Sequence, residues 1–271
     1  MTVPNPFLDE DQRPALYGDA RRLTQRTTAL GAAKVSGAPV AEVIAGFFDD
    51  TPDHVLDVGC GRGGVTAHLV KAWLPSQLTA LDTSPALLDD AATRLAERAP
   101  ELSPRVRFVA ADFHDIPLSD DSVDVIVAAF CLYHSTDPGE VLAECRRCLR
   151  RNGRVILVTK SADSYAALDA LVADAGLDPG AVRRPSLYES FHSGNAEAVT
   201  ASALRVDEVT HHHHRFRFSD PTHTARYLIT NPKYDLPEQP PHVIAEQLNS
   251  VLTGNGVSAE STVTYVVASK T

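Results

Sequence analysis

The chain has 271 residues, 44% of them apolar, enough for one large α/β domain with a modest cap and too apolar for a disordered chain. Its formal charge of −10 repels a nucleic-acid backbone, so no nucleic-acid partner is expected. No apolar stretch reaches the ~20 residues that cross a bilayer, and the acidic opening MTVPNPFLDEDQRP lacks a leader's basic and apolar regions; a cytoplasmic protein with no membrane contact is expected.

Residues 1–50 read as a helical N-terminal cap without a strand. ALYGDARRLTQRTTALGAAKVSG has helical spacing and ends in a glycine, and VAEVIAGFF is a second helix. The rhythm then changes. Across 51–176 short apolar strands alternate with helices: HVLDVG (54–59), LTALD (78–82), VRFVAAD (106–112), VDVIVAAF (123–130) and RVILVTK (154–160). Ser84-Pro85 opens the helix after the second strand as N-cap and first-turn proline. The helix after the fourth starts at Asp137-Pro138, with Glu140 placed to complete a capping box, and stops at Asn152-Gly153. Its Arg146, Arg147, Arg150 and Arg151 are then cations at a helix C-terminus, where the dipole favours them. YAALDALVADAGL supplies a fifth helix.

This alternation predicts a Rossmann-like, doubly wound α/β sheet that is mostly parallel. Residues 177–271 complete it. They hold one helical stretch in RRPSLYESFHSGNAEAVTASAL, an alternating strand LRVDEVTHHHHRFRF, and a last strand TVTYVVASK (262–270), expected to be antiparallel. A substrate-cap insert at about 218–258 is helical, broken by Pro221, Pro232 and a PEQPP cluster.

Cys60, Cys131, Cys145 and Cys148 lie in core-like segments, as reduced thiols do. Val141, Leu142, Cys145, Cys148 and Leu149 share one helical face, so Cys145-x-x-Cys148 reads as a core stripe. His211 to His214 place a His-x-His pair on each face of a strand, but no third ligand is evident. A pocket wall or an exposed strand face is expected there, and no metal.

The chemistry starts in VLDVGCGRGG. Gly59, Gly61 and Gly64 fit G-x-G-x-x-G, which turns a strand into a helix and lets a ligand approach backbone N–H groups. The same letters read as D-x-G-x-G-x-G with Asp57, Gly59, Gly61 and Gly63; an acid so placed suits a cationic group better than a pyrophosphate. Asp82 closes the second strand, where a carboxylate meets a ribose diol. Asp112-Phe113 ends the third, where an acid accepts an adenine amino group and an aromatic packs on the ring.

These segments resemble the class I S-adenosylmethionine (SAM)-dependent methyltransferases, nearest to quinone-biosynthesis and natural-product enzymes acting on small molecules. VLDVGCGRGG, LTALDTS, VAADFHDIPL, VDVIVAAFCLYHSTDP and LRRNGRVILVTK carry the resemblance, over roughly residues 53–161. It implies SAM as methyl donor, with Asp57, Gly59, Cys60, Gly61 and Gly63 at its methionine part and Asp82 and Thr83 at the ribose. Asp112 and Phe113 would lie at the adenine, and Ala129 and Phe130 beneath the sulfonium. Cys60 would serve through its backbone. Tyr17, Arg26 and Lys34 lie on helices that in the family fold over the cofactor; a solvated helix face is the expected role of each, and contact of one of them with the SAM carboxylate is the alternative.

Methyl transfer from a sulfonium is an in-line displacement, so alignment and water exclusion dominate. His134, just after the fourth strand, is the candidate general base where the acceptor must lose a proton; its competing role is to order that loop through Asp137. Tyr133, His192, Tyr227 and Tyr234 are candidates to line the acceptor pocket. Two other readings stay open: an NAD(P)-binding oxidoreductase, which predicts further parallel strands after the fifth, and a non-catalytic SAM-binding regulator.

Overall fold

A computed structural model describes residues 5–236, 239–252 and 256–270. Residues 1–4 of the acidic opening, Pro237 and Glu238 of the proline cluster, and 253–255 of the expected insert lie outside the described residues. In chain order the elements are α1 (Arg13–Tyr17), α2 (Ala20–Ala33), β1 (Lys34–Ser36), α3 (Val40–Ala45), β2 (His54–Val58), α4 (Gly64–Trp73), β3 (Gln77–Asp82) and α5 (Pro85–Arg98). There follow β4 (Val106–Ala110), β5 (Val123–Ala129), α6 (Pro138–Cys148), β6 (Leu149–Lys160), α7 (Ala166–Asp174) and α8 (Ala196–Ala201). The chain closes with β7 (Arg205–Phe218), α9 (Pro221–Leu228), α10 (Pro241–Asn249) and β8 (Val257–Ser269).

Eight strands make one sheet in the order β1-β7-β8-β6-β5-β2-β3-β4. β4, β3, β2, β5 and β6 run parallel. β8 is antiparallel to β6, β7 to β8, and β1 to β7. Among the described residues no parallel strand is added beyond β6, whereas a dinucleotide oxidoreductase needs a second mononucleotide half. The chain winds outward in both directions from the β2/β5 pair, so a crevice opens there at the strands' carboxyl ends.

The inner parallel strands β2, β3, β5 and β6 are buried on both faces. Leu56, Val58, Ile126 and Leu157 pack toward α6, whose Val141, Leu142, Cys145 and Cys148 are buried as a stripe. Their neighbours Val55, Val125, Val127 and Ile156 pack on the other face against Leu69 and Trp73 of α4. A third cluster joins Ala29 and Ala33 of α2 to Phe218, Leu228 and Ile244 of the C-terminal part. His223 Nε2 lies 2.8 Å from the Ala29 carbonyl, and Gln25 donates to the Arg226 carbonyl at 3.1 Å. The two ends of the chain thus share one layer.

Local details differ from the sequence pattern in four places. The first fifty residues do contain a strand: Lys34–Ser36 pairs with Phe216 and Arg215. Its three residues are too few for period-two alternation to register. The helical pattern of 15–37 breaks at Gly18, and Asp19 caps α2 by accepting the Arg21 amide at 2.8 Å. Helix α6 stops at Cys148, short of Asn152-Gly153, because Leu149 already pairs with Val123 across a bulge. Arg150 and Arg151 therefore sit on β6, and Arg150 binds Asp124 at 2.6 Å. Asp137 caps α6 as expected, but its own amide donates to Ser135 Oγ (3.0 Å) where a capping box needs Glu140.

Candidate functional site

The turn after β2 passes through Gly59, Gly61 and Gly63 at φ of 64°, 53° and 70°, a region L side chains rarely adopt. A Cβ on Gly59 would come 2.4 Å from Cys131 Cβ, and one on Gly63 3.0 Å from Ala91 Cβ. Gly64 has no such constraint: it opens α4 and a Cβ there meets nothing within 4 Å. The physical need for glycine therefore follows the D-x-G-x-G-x-G spacing.

Asp57 is buried below this turn and accepts the Thr66 hydroxyl, tying β2 to α4. Burial pushes its carboxyl up to about 7. It does not line the cavity described next, nor do Cys60, Gly63 and Ala129. The sequence expects them at the ligand; in the structure they stand in support of the cavity wall. Cys60 fills that role through its amide, which donates to the Leu81 carbonyl at 3.0 Å.

A cavity of about 440 Å³ opens at the carboxyl ends of the parallel strands, within the size range of small-molecule sites. One end is lined by Gly59, Gly61, Asp82, Thr83, Asp112 and Phe113. Asp82 accepts the Gly61 amide on one oxygen and the Ser84 amide on the other, both at 2.9 Å. Burial raises its carboxyl and these N–H groups oppose the rise. A carboxylate has about four lone-pair sites, so capacity for a diol remains. Asp112 lies two residues past β4, where its Oδ1 accepts the His114 amide (2.9 Å) and faces His114 Nδ1 at 2.7 Å. His114 Nε2 in turn lies 2.9 Å from Ser135 Oγ, which fastens this loop to the one after β5.

The N-terminal segment closes over that end. Ser84 Oγ, besides capping α5, donates to the Tyr17 carbonyl at 2.6 Å. The Tyr17 hydroxyl lies 3.1 Å from His134 Nε2, and Phe7 packs its ring 4.3 Å from the imidazole. Tyr17, Tyr133 and His134 all line the cavity. Asp137 spends its carboxylate on the α6 cap. Burial raises the Tyr17 phenol, opposed by the charge of Arg26 and a hydrogen bond to it.

The other end is aromatic and basic. Phe130, at φ 59° just past β5, donates its amide to Val158, and Lys160 stands over its ring. Arg26, Lys34, Tyr165, Tyr188, His214 and Tyr227 share this wall. Of the sequence candidates, Tyr227 and Tyr133 reach the cavity; His192 and Tyr234 do not. His192 Nδ1 accepts the Gly194 amide in its own turn, and Tyr234 donates to Asp169 at 2.8 Å. Lys160, Tyr165 and Tyr188 escaped the sequence reading, though a lysine ending a buried strand was visible in RVILVTK. In the histidine run, His211 and His213 pair with Thr264 and Thr262, while His212 packs on Tyr265. No group of three His, Cys, Asp or Glu able to hold a metal occurs among the described residues.

Residues 56–157 match the family model described as a methyltransferase domain. Over 117 residues the chain is 35% identical to a demethylmenaquinone methyltransferase of Thermotoga maritima, covering 43% of this chain and 47% of that protein. The chain spans about half the length of the curated relatives it matches. Among solved structures, the cyclase SpnF superposes with a TM-score of 0.60 at 17% identity, covering 100% of this chain and 98% of that one. Geranyl diphosphate C-methyltransferase from Streptomyces coelicolor, in complex with Mg2+, geranyl diphosphate and S-adenosyl-L-homocysteine, gives 0.53 at 16% identity, covering 85% and 77%. At these identities the two structures speak for the fold. The likeness to methyltransferases in sequence therefore rests on residues 56–157. Among the described residues, no helix is long and apolar enough to cross a membrane.

Proposed function

We propose that this chain is a SAM-dependent methyltransferase acting on O, N or C of a small molecule of specialised metabolism. One observation carries the reading: the left-handed glycine turn, Asp82 and Asp112-Phe113 all face the same end of one cavity. That end fits the adenosyl part of SAM. Gly59 and Gly61 present backbone without a Cβ, Asp82 with Thr83 receives the ribose diol, and Asp112 with Phe113 holds the adenine. Tyr17 and Arg26 are placed to take the carboxylate of the methionine part, while Asp57, Cys60, Gly63 and Ala129 keep the turn rigid from behind.

SAM supplies an electrophilic methyl group: the acceptor's lone pair forms the new bond to carbon while the carbon–sulfur bond breaks, leaving S-adenosylhomocysteine. The chain's task is alignment and exclusion of water. Phe130 and Tyr133 shape the passage between the two cavity ends, with Tyr227 on the acceptor side. His134 takes the acceptor's proton where one must leave, with Tyr17 at its Nε2. Residues 1–50 and the insert at about 218–258 serve as a lid on the core of residues 51–176, which favours a compact acceptor over a macromolecule.

Isothermal calorimetry tests this directly. S-adenosylhomocysteine is expected to bind stoichiometrically and NAD+ not at all, followed by transfer of labelled methyl from SAM into a metabolite pool. Tight NAD+ binding without any to S-adenosylhomocysteine would overturn the proposal. Binding without transfer to any pool would leave the non-catalytic regulator.

A further inference from the structure

The basic end of the cavity holds two polar groups whose partners do not satisfy them. Lys160 ends β6 with its ammonium 5.1, 4.9 and 5.5 Å from the ring centroids of Phe130, Tyr165 and Tyr188. It donates to Tyr165 Oη at 3.0 Å. All of these partners are neutral, since burial holds both phenols protonated. The ion pairs among the described residues leave Lys160 out. An ammonium has three donors, so two remain for a ligand.

His214 enters the same cavity from β7 and is 3% exposed. Its Nε2 is buried with no hydrogen-bond partner among the described residues. Native structures rarely leave such an atom unpaired, because its lost hydration is then uncompensated. The ring is also held in place: Gly37 lies against it at φ 109°, where a Cβ would come 2.5 Å from the imidazole. Burial, with the charges of Lys34, His212 and Lys160, lowers His214 to about 4, so it is neutral at neutral pH. A neutral imidazole nitrogen is a donor or an acceptor according to tautomer, and a hydroxyl satisfies either.

Resting on the methyltransferase reading, we propose that this end selects acceptors with a flat apolar body, one ionised oxygen and one hydroxyl, the oxyanion received by Lys160 and the hydroxyl by His214 Nε2. The aromatic wall supplies faces for the flat body. A cationic acceptor is repelled by Lys160, Lys34 and Arg26, and a neutral one leaves the ammonium with neutral partners only.

The test uses the whole chain loaded with S-adenosylhomocysteine. The probes are para-hydroxybenzoate and a hydroxynaphthoate, their primary amides, and benzoate and naphthoate. The hydroxy acids are expected to bind at least about tenfold tighter than their amides, as charge-assisted hydrogen bonds are the stronger class. Lys160→Met and Lys160→Gln should both erase that preference with S-adenosylhomocysteine uptake unchanged, which also certifies the fold. His214→Phe should keep the acid-over-amide preference but bring each hydroxy acid to the level of its parent acid. Equal binding of acids and amides by the unaltered protein, binding by none of the acids, or an undiminished preference in Lys160→Met overturns the proposal. So does loss of S-adenosylhomocysteine uptake in the Lys160 variants, which would assign the ammonium to the cofactor. Binding of acids by a protein that never takes up S-adenosylhomocysteine would instead sink the methyltransferase reading.

Discussion

The Tyr17 hydroxyl and His134 Nε2, 117 positions apart in the chain, lie 3.1 Å from one another in the cavity wall. The pair joins the N-terminal segment to the loop after β5. Both side chains line that cavity.

His134→Gln is expected to lower kcat by about 10²–10⁴-fold for an acceptor that must lose a proton. An acceptor already ionised should be methylated at nearly the unaltered rate. Tyr17→Phe removes one hydrogen bond, so it should cost about 1 kcal/mol, roughly fivefold. Steady-state kinetics over acceptors of graded acidity check this; equal loss for every acceptor would make His134 an orienting residue.

Asp82→Asn should weaken S-adenosylhomocysteine binding by roughly 10–100-fold, the worth of about 1.5–3 kcal/mol for hydrogen bonds to a charged group. Calorimetry reads this directly. The turn should survive, because an amide oxygen still accepts the Gly61 N–H.

The glycine turn gives a contrast between neighbours. Gly64→Ala should fold and bind normally and gain up to about 1 kcal/mol, since Ala outranks Gly in a helix and nothing crowds the site. Gly59→Ala should destabilise the protein or abolish cofactor binding, with its Cβ 2.4 Å from that of Cys131. Thermal denaturation and calorimetry separate the two. Equal damage from both would restore the dinucleotide spacing.

Burial raises Asp57 from its ordinary 3.8 to about 7. Across that window the native state holds a proton that the unfolded chain has released, so stability falls as pH rises from about 4 to 7 and then levels off. Asp57→Asn removes this dependence. Its stability relative to the unaltered protein should therefore be greater at pH 8 than at pH 5, as read from urea midpoints. A difference independent of pH would place an ordinary carboxylate there.

The parallel half of the sheet was legible because its inner strands are buried on both faces and write short apolar runs, as in LTALD and VDVIVAAF. Asp82, Phe113 and His134 were legible for a related reason: they stand at or just past strand ends, where this architecture opens its crevice. What stayed hidden depends on long-range pairing. β1 forms only because β7 offers it a partner, and Lys160 and His214 meet only through the antiparallel β7–β8–β6 ladder. Asp57 was legible in part: its spacing marks the turn, while its hydrogen bond with Thr66 depends on how α4 packs on β2.

The short ladder between Lys34–Ser36 and β7 has a mechanical consequence. It stitches residues 34–36 to the sheet's far edge. The N-terminal part of the lid is thereby divided at Gly18: α2 is tied to α9 through Gln25 and His223, whereas α1 is tied to the core through Tyr17. Spin labels on α1 and on α9 are expected to report the opening of these two parts separately.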